Sequence, residues 1–293
     1  MTTPRYASLI EQFRHWAAEE PSIRSALVVG SQARSSAPAD EWSDLDLVIF
    51  HEDPDRLIES TEWFQRFGAV VVSLIEPTAL LGSRERRVLY SDGRDVDFSV
   101  FPAAWQALVA QTPEGASVLR RGYEIVLDKD GHLARVPPSL SGQSPNRQGL
   151  PSEEEFQSLV ADFWYHFLWT ARKLRRGELW TAKMGCDGYL KRLLARIVEW
   201  QTIASSPGVV DTWHEGRFLD AWADPEVRAR LPRAFATYDS GDVARALRET
   251  GELFSEEARA VARKAGWPYP TMAEAAVREL TSKALGPPGG AIA

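Results

Sequence analysis

The chain has 293 residues, a formal net charge of −7 at neutral pH and one cysteine, Cys186. That length suffices for two modest cores, the acidic balance argues against a nucleic acid partner and suits a cationic small molecule better, and a lone cysteine excludes an internal disulfide or a multi-cysteine zinc site. No apolar run approaches the roughly 20 residues of a membrane-spanning helix and the N-terminus lacks an apolar signal segment, so a cytoplasmic chain with no membrane partner is expected.

In chain order, the first strand-like runs are ALVVG, ending at Gly30, and LDLVIF, ending at Phe50. AVVVSLI, ending at Ile75, and DVDFSVF, ending at Phe101, follow, each rich in β-branched or aromatic residues. The piece from Asp53 to Phe67 is compatible with a helix, so residues 1–134 are expected to form a mixed sheet with flanking helices. Residues 135–152 have the Pro, Gly and Ser content of a linker. Ser152, followed three residues later by Glu155, then predicts a capping box. Beyond it Phe156, Leu159, Val160, Phe163, Phe167, Ala171 and Leu174 make one apolar stripe at helical spacing. A second helix is expected over Glu178–Ile203, and shorter ones reach Ala265. The fold class is therefore α+β, with an α-helical bundle over 153–283 and a frayed tail over 284–293. The 11 tryptophans spread through both halves and read mainly as buried packing, as does Cys186.

The chemistry concentrates in the second strand. Along a strand Asp44 and Asp46 share one face, about 7 Å apart, while Leu45, Leu47 and Ile49 take the other. Two adjacent carboxylates repel one another, and a divalent cation that prefers oxygen ligands, most simply Mg²⁺, answers that repulsion. Upstream, Gly30 and Ser31 end a strand with a turn that permits close backbone approach to phosphate oxygens. In DVDFSVF the alternation sets Asp95 and Asp97 against Val96, Phe98 and Val100. Asp97, with the more apolar neighbours, is the candidate third carboxylate, and Asp95 reads as a solvated strand end. Three carboxylates can hold two metal ions for in-line phosphoryl chemistry.

The order Gly-Ser, Asp-x-Asp and a later Asp in an apolar strand resembles the polymerase-β-like nucleotidyltransferase superfamily, and within it the streptomycin, or aminoglycoside 6-, adenylyltransferase family. Segments at Val126–Gly131, Phe163–Lys183, Val198–Trp200, Gly216–Leu219 and Ala236–Phe254 resemble family segments in the same order, so the resemblance spans nearly the whole chain. It implies that AMP passes from ATP to a hydroxyl of an aminoglycoside, with release of pyrophosphate and resistance to the antibiotic. It also implies that Asp44 and Asp46 carry Mg²⁺, that Asp97 ligates metal and orients or deprotonates the acceptor hydroxyl, and that Gly30 and Ser31 hold the ATP phosphates. Where the family has arginine after Gly-Ser, this chain has Gln32, with Arg34 as the nearby cation that could substitute. Arg172, followed by Lys173, stands where the family has a lysine; Arg172 and Lys129 are further candidates for phosphate contact. Glu178 is the candidate general base, ahead of Asp187. His51, His166 and His214 have no partner spacing for metal or triad chemistry. Two alternatives stay open: an adenylyltransferase for another hydroxylated acceptor, such as a lincosamide or a protein side chain, and a nucleotide-binding regulator without catalysis. No P-loop or GxSxG segment occurs in the chain. Oligomeric state is left open.

Overall fold

A computed structural model describes residues 4–34, 38–78, 82–137, 140, 149–206, 208, 210–212 and 216–286. His214, most of the linker and residues 287–293 of the tail lie outside them. The chain divides into two compact units, 1–146 and 147–293. No helix among the described residues is long and apolar enough to cross a membrane.

The first unit opens with α1 (Pro4–Glu19), a helix that the strand-by-strand reading passes over. It continues through β1 (Ile23–Val29), β2 (Leu45–His51), α2 (Pro54–Glu59), β3 (Val70–Pro77), β4 (Arg84–Tyr90), β5 (Asp95–Pro102), α3 (Pro113–Arg121) and β6 (Glu124–Asp128). The six strands form one sheet in the order β3-β4-β5-β2-β1-β6. Its pairs are antiparallel except β2 with β5, which run parallel. Strand alternation gives each face its own core. Ala26, Val28, Leu45, Leu47, Ile49, Val96, Phe98 and Val100 pack with residues of α1, α2 and the turn Phe64–Phe67 on one side. On the other, Leu27, Val29, Val48, Phe50 and Phe101 pack with Leu119 of α3. Asp46 and Asp97 belong to this second face by alternation.

The segment Asp53–Phe67 is not one helix. Asp53 caps α2, its side chain accepting from the Arg56 amide, and the helix ends at Glu59 before a separate 3₁₀ turn over Phe64–Phe67. The break turns Trp63 and Phe64 into the core, where the Trp63 indole donates to the Leu57 carbonyl at 2.9 Å.

The second unit is helical. It contains α4 (Glu153–Arg175), α5 (Leu179–Met184), α6 (Leu190–Ser205), α7 (Leu219–Trp222), α8 (Pro225–Ala234), α9 (Ser240–Ala265) and α10 (Thr271–Leu285). The capping box at Ser152 and Glu155 is present in both directions. Phe156, Val160, Phe163, Phe167, Ala171 and Leu174 are buried against residues of α6 and α9, with Leu159 partly buried beside them. Phe163 and Phe254 stack at 3.6 Å between ring centroids. Gly251 on α9 makes room for Phe167: a Cβ there would come within 2.6 Å of its ring. The helix expected over Glu178–Ile203 is interrupted by a π turn at Gly185–Tyr189. The final helix runs to Leu285, so the first two residues of the expected tail are helical.

Candidate active site

The sheet order puts β2 and β5 side by side, and their parallel register aligns Asp46 with Asp97. The row continues to Val29 on β1 and to Arg87 on β4. Asp44 precedes the first residue of β2 by one position and so stands at its entry rather than within it. One carboxylate oxygen from each of Asp44, Asp46 and Asp97 lies within 4.8 Å of the other two. Asp95, the exposed first residue of β5, stays outside this group.

Gly30 faces the cluster directly. It follows β1 with φ of +68°, a conformation that costs other residues energy, and a Cβ at this position would lie 1.8 Å from Asp46 Oδ2. The 3₁₀ turn Gly30–Gln32 begins here, so its leading amides precede the turn's own hydrogen bonds. Ser31 Oγ is buried with no hydrogen-bond partner among the described residues. A buried hydroxyl left unsatisfied is costly, and an anionic oxygen at the turn would relieve it.

Asp97 is 7% exposed. Burial pushes its carboxyl up to about 7, with Glu85, Asp46 and Asp44 adding repulsion against the pull of Arg87. Arg87 approaches Asp97 Oδ2 at 3.3 Å while also meeting Glu85 at 3.0 Å and Glu76 at 2.7 Å. Three oxygen donors in a site short of positive charge fit a hard divalent cation. Arg87 and Glu85 are functional neighbours that sequence reasoning missed. The available signal was the alternation in RERRVLY, hidden because a charged run reads as surface rather than as a central strand. Tyr6 was missed too: its hydroxyl lies 3.1 Å from the Ser43 and Asp95 carbonyls, tying together the entries of β2 and β5.

The remaining candidates fall elsewhere. Gln32 is fully buried and donates to the Asp44 carbonyl at 2.9 Å, so this departure from the family pattern braces the segment carrying Asp44. Arg34 is buried, its backbone packed beneath Gly122. Lys129 does not join the cluster. Its amide bonds the Arg24 carbonyl and its Nζ the Glu20 carbonyl at 2.6 Å, at the opposite end of β1 from Gly30 and about 20 Å away at strand rise. Its neighbour Asp130 is paired with Arg24 and Gln106, so the segment that suggested a phosphate contact is a structural brace.

In the helical unit Arg172 is exposed on α4. Glu178, the N-terminal flank of α5, pairs with Lys173 and Arg176, each at 2.8 Å. The Lys173 hydrogen bond holds its carboxyl below the usual range, which weakens it as a proton acceptor. Asp187 is paired with Lys183 and accepts from the Ala236 amide, which ties the π turn to the segment between α8 and α9. His51 is buried and accepts from the Asp53 amide, and His166 contacts Asp162 at 2.6 Å.

A family model described as streptomycin adenylyltransferase matches residues 5–284. Among solved structures, an aminoglycoside 6-adenyltransferase from Bacillus subtilis is similar at 16% identity, covering 95% of this chain and 97% of that one with a TM-score of 0.46. The Thermotoga maritima CCA-adding enzyme complexed with tRNA is similar at 12% identity, covering 97% of this chain and 72% of that one with a TM-score of 0.32. No curated protein matches.

Proposed function

This chain belongs to the streptomycin adenylyltransferase family and is a nucleotidyltransferase, and on that premise we propose that it transfers AMP from Mg-ATP to a hydroxyl of a streptomycin-like aminoglycoside and so confers resistance. The observation that carries the proposal is the convergence of Asp44, Asp46 and Asp97 within 4.8 Å beside the Gly30 turn. In this reading Asp44, Asp46 and Asp97 hold one or two Mg²⁺ ions. Bound Mg²⁺ supplies neutralisation of the triphosphate charge and polarises the acceptor oxygen. Gly30 lets the phosphates approach the backbone, and the Ser31 hydroxyl donates to a phosphate oxygen.

The acceptor oxygen attacks the α-phosphorus, the bond from that phosphorus to the oxygen bridging to the β-phosphate breaks, and pyrophosphate leaves. Asp97 orients the acceptor hydroxyl and takes its proton, since it stands in the carboxylate cluster itself, whereas Glu178 lies in the helical unit engaged by Lys173 and Arg176. Arg87 fixes the Asp97 carboxylate, and Gln32 fixes the backbone that carries Asp44. The acidic chain favours a polycationic acceptor, and ATP as donor is consistent with a cytoplasmic setting.

The test is pyrophosphate release by the purified chain with Mg²⁺, ATP and a panel of aminoglycosides, with a lincosamide as a further arm. Release above the acceptor-free background is expected with streptomycin. It should disappear in Asp44→Asn, which keeps side-chain volume and leaves the circular dichroism spectrum unchanged. Release with the lincosamide alone would move the acceptor to another class. Silence across the whole panel would overturn the transferase reading.

A further inference from the structure

The helical unit holds a cavity of about 370 Å³ whose walls are aromatic, within the size range of small-molecule sites. Trp169 comes from α4, Trp180 from α5 and Tyr189 from the last position of the π turn, with Gly185, the first position of that turn, also in the lining. On the rim of this cavity Trp180 is 68% exposed and its neighbour in the lining, Met184, is 52% exposed. An indole exposed on a cavity rim offers a flat apolar and π-rich face against which a bound ring or cation can stack.

The electrostatics select what that occupant is. Tyr189 donates to the Asp162 carboxylate at 2.9 Å, and His166, another wall residue, contacts the same carboxylate. A fixed carboxylate thus stands behind the wall. The rings themselves attract cations: Lys173 Nζ sits 5.4 Å from the Trp169 centroid and the Arg192 guanidinium 5.4 Å from that of Tyr189. Lys173 is neutralised by Glu178. Among the described residues no cation of the chain lies over Trp180, whose ring meets only the Tyr238 edge at 6.4 Å. At the floor, the Thr170 hydroxyl is buried without a hydrogen-bond partner among the described residues.

We propose that this cavity binds a polyhydroxylated ring bearing guanidinium or ammonium groups, with the ring's C–H face or a cationic group stacked on Trp180. The stacking combines apolar contact with cation–π attraction, worth about 0.5 to 2 kcal/mol for the latter. The inference deepens the transferase reading, on which the choice of probe rests, by assigning residues to recognition of the acceptor.

The test measures streptomycin binding to the full chain by calorimetry without nucleotide, alongside pyrophosphate release in the same preparations. Trp180→Ala is expected to weaken streptomycin binding about ten-fold, which corresponds to about 1.4 kcal/mol. Met184→Lys, which places a like charge in the lining at an exposed position, should weaken it at least as much. Both variants alter exposed side chains, and an unchanged melting temperature establishes that they fold. Myo-inositol, a ring with hydroxyls but no charge, should bind at least about ten-fold more weakly than streptomycin. If Trp180→Ala and Met184→Lys bind streptomycin as the wild type does, the site assignment is overturned, even where transfer to streptomycin is observed. If streptomycin binds and both variants lose it while no pyrophosphate is released, the cavity assignment holds and the transferase reading fails. A wild-type chain that binds no streptomycin overturns the assignment directly.

Discussion

At Gly30 a backbone conformation and a carboxylate compete for the same space. Alanine there would bear the cost of a positive φ, about 1 kcal/mol, and its methyl would have to displace Asp46 from the contact that a Cβ would make at 1.8 Å. The stability loss is modest, but a metal ligand moved by an ångström costs on the order of 100-fold in rate. Gly30→Ala should therefore fold, melt within a few degrees of the wild type and lose about two orders of magnitude in kcat for adenylyl transfer. Asp97 yields a second expectation. Its carboxyl is raised to about 7 by burial, whereas the unfolded chain presents an ordinary aspartate near 3.8. The folded state thus binds this proton more tightly, so the stability that the protonated group contributes is full below about pH 4 and is lost as pH rises through about 7. In Mg²⁺-free buffer, the melting temperature of the wild type should fall relative to Asp97→Asn between pH 5 and 8. Added Mg²⁺ should raise the wild-type melting temperature more at pH 8 than at pH 5, and should do less for the variant. Parallel pH dependences in the two proteins would remove Asp97 as the titrating group.

Elements differ in how plainly the sequence announces them. The alternation of LDLVIF and DVDFSVF reads directly as strands with acids on one face, because an apolar face must be buried and the other residues follow by geometry. The stripe from Phe156 to Leu174 is equally legible at helical spacing. β4 is not, since Glu85 and Arg86 are buried charges whose partners come from elsewhere: Arg86 donates to the Ile58 carbonyl at 2.8 Å and to Ser73 Oγ at 2.9 Å. No local pattern announces a long-range satisfaction of that kind. The π turn at Gly185–Tyr189 is not announced either, because GCDGY is too short and too poor in apolar residues for a shift in the helical period to be read from it. Lys129 misleads in the opposite direction, a cation in a family-like segment that the antiparallel β1–β6 pairing carries to the wrong end of the strand. The helix pair formed by α4 and α9 makes its own prediction. Gly251→Ala gains up to about 1 kcal/mol in helix propensity but drives a methyl to 2.6 Å from the Phe167 ring, an overpacking that costs about 1 to 3 kcal/mol. Packing outweighs propensity, and a net loss of about 1 to 2 kcal/mol is expected in urea denaturation. A stabilised variant would mean that Phe167 can swing aside at little cost.

Across the whole molecule, the acidic balance and the length were informative because they report sums, and sums do not depend on where residues fall. Two units with separate cores are what 293 residues allow. The acceptor-recognition surface was not legible at all, because Trp169, Trp180 and Tyr189 are brought together only when α4, α5 and the π turn pack. The one thiol of the molecule sits in that same packing. Cys186 is fully buried in the core of the helical unit, and burial pushes its thiol up to about 11, so it is both out of reach and un-ionised at neutral pH. Treated with a maleimide or a disulfide reagent under native conditions, the protein should react only as fast as that core opens. The rate should climb with urea in step with unfolding, and fast labelling in buffer alone would refute so tight a core. Having no second cysteine to confuse the signal, the chain carries a built-in clock for the breathing of its helical unit.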